Sequence, residues 1–99
     1  MSEVTYDIRH DAAERRFHVD VEGQRCELDY LLAGGVMTIT HTGVPQAVGG
    51  RGIAAALVRA AFELARQQGW QVVPACSYAA VFVRRHPEYA ALVAPQASR

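Results

Sequence analysis

Apolar and polar positions alternate with one period up to Pro45 and with another after it, which divides the chain into a β half and an α-rich half. Up to Pro45 the period is two. Val4, Tyr6 and Ile8 share a side of the segment Val4 to His10 and predict a first strand, followed by a turn at Asp11-Ala12-Ala13-Glu14. Phe17, Val19 and Val21 then alternate with His18 and Asp20, the pattern of a half-buried strand, and Glu22-Gly23 closes a hairpin. From Gln24 to Leu32, Cys26, Leu28, Tyr30 and Leu32 oppose Glu27 and Asp29, ending at Ala33-Gly34-Gly35. Val36 to Val44 continues the alternation, with Met37, Ile39 and His41 opposite Thr38, Thr40 and Thr42. Threonine suits a pleated strand, and turns this short favour an antiparallel meander.

Beyond Pro45 the spacing becomes helical. Ile53, Leu57, Ala61 and Leu64, joined by Val58, Phe62 and Ala65, make one broad apolar stripe, with Arg59, Glu63, Arg66 and Gln67 opposite. Gly69 stops that helix. Trp70 to Pro74 reads as a short strand parallel to the fourth, forming a βαβ unit. Ser77 is placed to cap a second helix through about Arg85. His86-Pro87 interrupts it, and a last short helical turn starts at Pro87 and ends near Val93. The expected class is α+β: a four-strand antiparallel meander, a helix, a parallel fifth strand and a C-terminal helical segment. One domain over 1–94 is expected, with residues 95–99 as a frayed tail.

The stretch Gly49-Gly50-Arg51-Gly52 runs straight into the first helix without a Ser, Thr, Asp or Asn to cap it. Uncapped amides and the positive end of the helix dipole suit an anion such as phosphate, whereas a plain strand-to-helix turn with water on the amides accounts for the same residues. Both readings stand on local pattern.

Composition narrows the classes. Basic and acidic residues number ten each, which argues against a general nucleic-acid binder. Asp7, Asp11, Glu14, Asp20, Glu22, Glu27 and Asp29 crowd the first half, while Arg51, Arg59, Arg84, Arg85 and His86 lie in the second. If the fold gathers the second group, that half suits a polyanionic small molecule. The N-terminus lacks the basic and apolar regions of a signal peptide and no apolar run is long enough to cross a bilayer, so a cytoplasmic location without a membrane partner is expected. Cys26 and Cys76 stand far apart and read as reduced thiols, and the scattered His10, His18, His41 and His86 offer no metal constellation.

Ligands of such sheets bind beyond the carboxyl ends of parallel strands. That directs attention to His41 through Pro45 and to Val73 through Cys76. His41 is a candidate base or a histidine held for packing. Cys76 is a candidate beside the reacting group or a small core residue, and Cys26 is core. Tyr78 and Tyr89 are candidate proton donors, or rings that cover the core.

These residues together resemble a known superfamily. GGRGIAAALV is similar to the acetyl-CoA pyrophosphate loop and helix of the GNAT N-acetyltransferases, whose pattern is Q/R-x-x-G-x-G/A before an apolar helix; Gly50 and Gly52 match its small positions. HT-x-VP, G-x-GIA-x-x-LV, P-x-C-x-Y and HPEY, in that order from Phe17 onward, resemble a subfamily of very short single-domain members. The resemblance implies acetyl-CoA between diverging fourth and fifth strands, with its pyrophosphate on the amides of Val48, Gly49, Gly50, Arg51, Gly52 and Ile53. Pantetheine would pair with backbone from Thr42 to Val44. It further implies direct attack by an acceptor amine near Cys76, with His41 as candidate base and Tyr78 as candidate acid.

Four departures qualify the resemblance. Ala47 stands where the pattern has Gln or Arg, Gly49 where a basic residue is common, and Phe82 near the usual tyrosine acid. The N-terminal helices that shape the acceptor site of longer relatives are lacking, so the acceptor site is expected to be shallow, matched to a large partner, or completed by a second copy in a homodimer.

Overall fold

The computed structural model describes residues 6–95. Its elements run β1 (Arg9–Asp11), β2 (Arg16–Val21), β3 (Gln24–Ala33), β4 (Val36–Gly43), a 3-10 turn (Gln46–Val48), α1 (Ile53–Gln68), β5 (Gln71–Pro74), α2 (Ser77–Arg85) and a 3-10 segment (Pro87–Leu92). The five strands lie in one sheet in sequence order, β1 to β4 antiparallel and β5 parallel to β4. This is the expected α+β arrangement.

The first strand is shorter and later than its alternation predicts. Only Arg9–Asp11 pair with β2, while Tyr6 turns toward the glycine loop, its hydroxyl donating to the Arg51 carbonyl at 2.7 Å. Val4 lies outside the described residues, as does the tail after Pro95.

One face of the sheet is covered and the other is open. Phe17, Val19, Cys26, Leu28, Tyr30, Met37 and Ile39 point to the covered face and share a core with Leu57, Val58, Ala61, Phe62 and Ala65 of α1 and with Ala79 and Phe82 of α2. Burying such side chains contributes about 1.5–3 kcal/mol for each large apolar one. The rings of Phe62 and Phe82 stack with centroids 5.8 Å apart, locking α2 onto α1. On the open face, Arg16, His18, Asp20, Arg25, Glu27 and Asp29 stand between the buried positions of β2 and β3. Their charges are largely paired there, as in Arg16 to Asp29 at 2.7 Å and Arg25 to Asp20 at 2.9 Å.

Strand β4 departs from simple alternation at one residue. Asp29 pairs with His41 and Tyr30 with Ile39, so Thr40 has no partner in β3 and forms a β-bulge. One extra residue reverses every side chain that follows. Thr42 therefore turns to the covered face and is buried, while His41 is exposed on the open face. The sequence expectation had His41 sharing a face with Met37 and Ile39, and the bulge is the reason it does not.

Helix ends obey local chemistry. Gly52 precedes α1 with φ 76° and no side-chain cap, as expected; Gly69 ends it with φ 74°, its amide donating to Ala65 and Arg66. Ser77 is not the cap of α2. Cys76 takes that position with extended backbone, and its sulfur accepts from the Ala79 amide at 3.5 Å. Among the described residues no helix is long and apolar enough to cross a membrane.

Candidate acetyl-CoA site

β4 and β5 are paired only from Val36↔Gln71 to Ile39↔Pro74. There Ala75 and Cys76 both donate their amides to the Ile39 carbonyl, at 3.1 Å, and the chain leaves the sheet for α2. β4 runs on to Gly43 with β3 alone beside it, so the two strands part like the arms of a V. Across the opening, Thr42 Oγ1 and Cys76 Sγ lie 3.4 Å apart. The two strand ends singled out from sequence thus meet through these side chains.

The opening leads into a cleft of about 340 Å³ between the start of α1 and one side of α2. Val44, Gly49, Gly50, Gly52 and Ile53 line one wall; Tyr78, Val81, Phe82, Arg85 and His86 line the other. Gly50 and Gly52 both have φ 76°, a conformation that L side chains rarely adopt, and this rather than lack of space calls for glycine. The Val48 and Gly49 amides are used internally, on the Pro45 and Gln46 carbonyls at 3.0 and 3.1 Å. From Gly50 to Ala55, by contrast, no backbone amide has an acceptor among the described residues. The donors for an anion therefore begin two residues later than the expected run from Val48 to Ile53.

Arg51 does not face the cleft. Its guanidinium donates to both carboxylate oxygens of Glu22 in the β2–β3 turn, at 2.6 and 3.3 Å, and this bond holds the Glu22 carboxyl below its ordinary pKa. Tyr78 lines the cleft and is 53% exposed, whereas Phe82, which also lines it, is buried. Tyr89 belongs elsewhere: buried, it donates to Glu63 at 2.5 Å and receives a bond from Arg59 at 3.3 Å. Burial, and then the bond to Glu63, push its pKa up, which suits a structural phenol. Cys26 is fully buried and burial raises its pKa as well, in keeping with a core thiol.

His41 stands apart from Thr42 and Cys76. Its ring lies over Gly43 on the open face, so near that a Cβ on Gly43 would come within 2.9 Å of Nε2. Arg85, one of the second-half cations grouped from sequence as suited to a polyanion, lines the cleft. Among the described residues no cluster of acids, histidines and cysteines is arranged to hold a metal.

The sequence profile of the GCN5-related N-acetyl-transferase family matches residues 16–92, which takes in every element from β2 to the last 3-10 segment. The chain belongs to that family. Acetyl-CoA is the general acyl donor of GCN5-related N-acetyl-transferases. The bovine protein NATD1 is 34% identical over 83 residues, 81% of this chain and 74% of its own length. NATD1 of mouse is 32% identical over 83 residues, 81% of this chain and 76% of its own. The solution structure of a GCN5-like protein from Staphylococcus aureus superposes with a TM-score of 0.71, covering 95% of this chain and 93% of that one at 22% identity. At that identity the likeness speaks for the fold: the mixed five-strand sheet with its helices is the GCN5-related architecture.

Proposed function

We propose that the protein is an N-acetyltransferase that moves an acetyl group from acetyl-CoA to a primary amine by direct attack. The observation that carries this reading is the continuity of the cleft. It begins at free helix amides suited to a pyrophosphate and reaches Val44 and Tyr78, each two residues beyond the Thr42–Cys76 contact. Acetyl-CoA supplies an activated thioester, so the balanced change is one new C–N bond, one broken C–S bond and one proton lost by the amine.

The chain's residues divide those tasks. Amides from Gly50 onward and the α1 dipole hold the phosphates. The backbone from Thr42 to Val44, free of β5, is available to pair with pantetheine, and Cys76 lines the acyl end. We assign Tyr78 the donation of a proton to the departing thiolate, a role supported by its place in the cleft lining. We assign His41, exposed on the open face, to take the proton of an amine arriving from that side, where none of the described helices covers the sheet and a large acceptor or a second copy of the chain has room. We also assign 1–94 as a single domain, supported by its one shared core, and a cytoplasmic setting, supported by two free cysteines.

A second reading is a CoA-binding module without efficient turnover. The separation of His41 from Thr42 and Cys76 favours it, because the assigned base then stands on the face of the sheet opposite the cleft. Thermal unfolding with acetyl-CoA tests the shared premise: at a hundredfold excess over Kd, binding to the folded state adds about 2.7 kcal/mol. Gly50→Asp, which sets a carboxylate among the amides, is expected to remove that gain. An unmoved melting temperature at millimolar acetyl-CoA sinks both readings. A shift without thiol release over a panel of amines leaves the binding module.

A further inference from the structure

The two walls of the cleft offer an anion different things. On the glycine-loop wall there are amide dipoles and no available cation, since Arg51 is held by Glu22 at 2.6 Å outside the cleft. The α2 wall carries Arg85, exposed and without an ion pair among the described residues. Arg84 precedes it in the same last turn, also exposed, and does not line the cleft. A helix C-terminus favours cations at both positions alike, so the dipole does not explain why one of the two faces the glycine loop.

Geometry and charge complete the argument. A diphosphate resting on the amides after Gly49 satisfies its oxygens on one side and leaves the others turned toward α2. Guanidinium presents several N–H donors in a planar fork matched to phosphate oxygens. Ala47, in the place where the GNAT pattern carries Gln or Arg, supplies no side-chain donor from the loop, and Arg51 is already engaged.

We infer that Arg85 is the cationic half of the phosphate site, gripping the pyrophosphate of the cofactor from α2 while the glycine loop holds it from α1. This rests on the acetyl-CoA reading and extends it to a residue outside the loop. In this chain the charge that binds the diphosphate has moved from the loop to the opposite wall.

Calorimetric titration of the intact protein with CoA and with dephospho-CoA, which lacks only the 3′-phosphate, tests the assignment. Arg85→Gln is expected to weaken both ligands about tenfold, the range for loss of a charged hydrogen bond at a partly open site. Arg85→Lys should recover part of the loss, and Arg84→Gln, which removes the same charge, should bind as the wild type does. Neither Arg84 nor Arg85 has an ion-pair partner among the described residues, so all three variants should melt together without ligand. Wild-type affinity in Arg85→Gln overturns the inference, as do equal losses in Arg84→Gln and Arg85→Gln. A loss confined to CoA moves Arg85 to the 3′-phosphate and overturns the pyrophosphate contact. Failure of the wild-type protein to bind either ligand is a different result, and it removes the acetyl-CoA reading itself.

Discussion

From Val36 to Ile39, strand β4 is hydrogen-bonded to β3 on one side and to β5 on the other; from Thr40 to Gly43 it keeps β3 and loses β5. In the first half every second residue is buried as the sequence alternates. In the second half an extra residue enters and the faces exchange. A strand held on both sides has little freedom to change register, whereas one held on a single side tolerates a bulge and leaves backbone groups for a ligand. The stable half and the candidate binding half are thus neighbours in one strand, separated by Thr40.

Deleting Thr40 attacks that boundary directly. Pairing would then run one to one, with Ile39 still inward, His41 outward and Thr42 inward but the local bend removed, and we expect loss of the acetyl-CoA-induced melting shift with unfolding free energy within about 1 kcal/mol of the control. Thr40→Ala keeps the residue count and serves as the control. A melting shift that survives the deletion would show that the bulge does not shape the binding half, and a urea midpoint far below the control's would show that the register does not close over the gap. Within the doubly paired half, Ile39→Ala should cost about 3 kcal/mol by opening a cavity in a fully buried site. Its ligand-induced shift should survive at temperatures where the protein is folded, and a selective loss of binding would erase the distinction between the halves.

The smallest expected effect is on pH dependence behind the paired half, where Tyr30, the partner of Ile39, meets His10 Nε2 at 2.6 Å. Burial lowers the His10 pKa below its ordinary value. The unfolded chain then binds more protons in the window between the two values, so stability rises with pH through that window and falls on acidification. Urea midpoints measured from pH 7 downward should show a shallower decline in His10→Gln than in the wild type, and parallel curves would rule out His10 as the titrating group.

The same boundary marks how far the sequence could be read. Phe17 through Tyr30 and Ile53 through Ala65 carry undivided periods, because each packs one face against a common core, and their strands and helix lie where the pattern puts them. The uncapped start of α1 was equally legible, since it depends only on what is missing before Ile53. His41 was not, because a bulge is decided by the pairing of two strands and leaves no trace in the alternation of one. Which of the second-half cations, Arg51 or Arg85, would line the cleft was not legible for a similar reason. Their roles follow from Glu22, 29 residues before Arg51, and from the angle at which α2 meets the glycine loop, both long-range consequences of the fold.

The outer edge of β5 receives a finishing contact that affects how copies of this chain behave toward one another. Val93 forms a parallel bridge with Val72, and the Ala94 amide donates to the Val72 carbonyl at 2.8 Å. At the other end of the sheet, β1 offers only three paired residues. The returning segment thereby covers the β5 margin at Val72, whereas Val19 to Val21 of β2 have no strand partner on the β1 side among the described residues, so crowding at high concentration would find unpaired backbone there and not at β5.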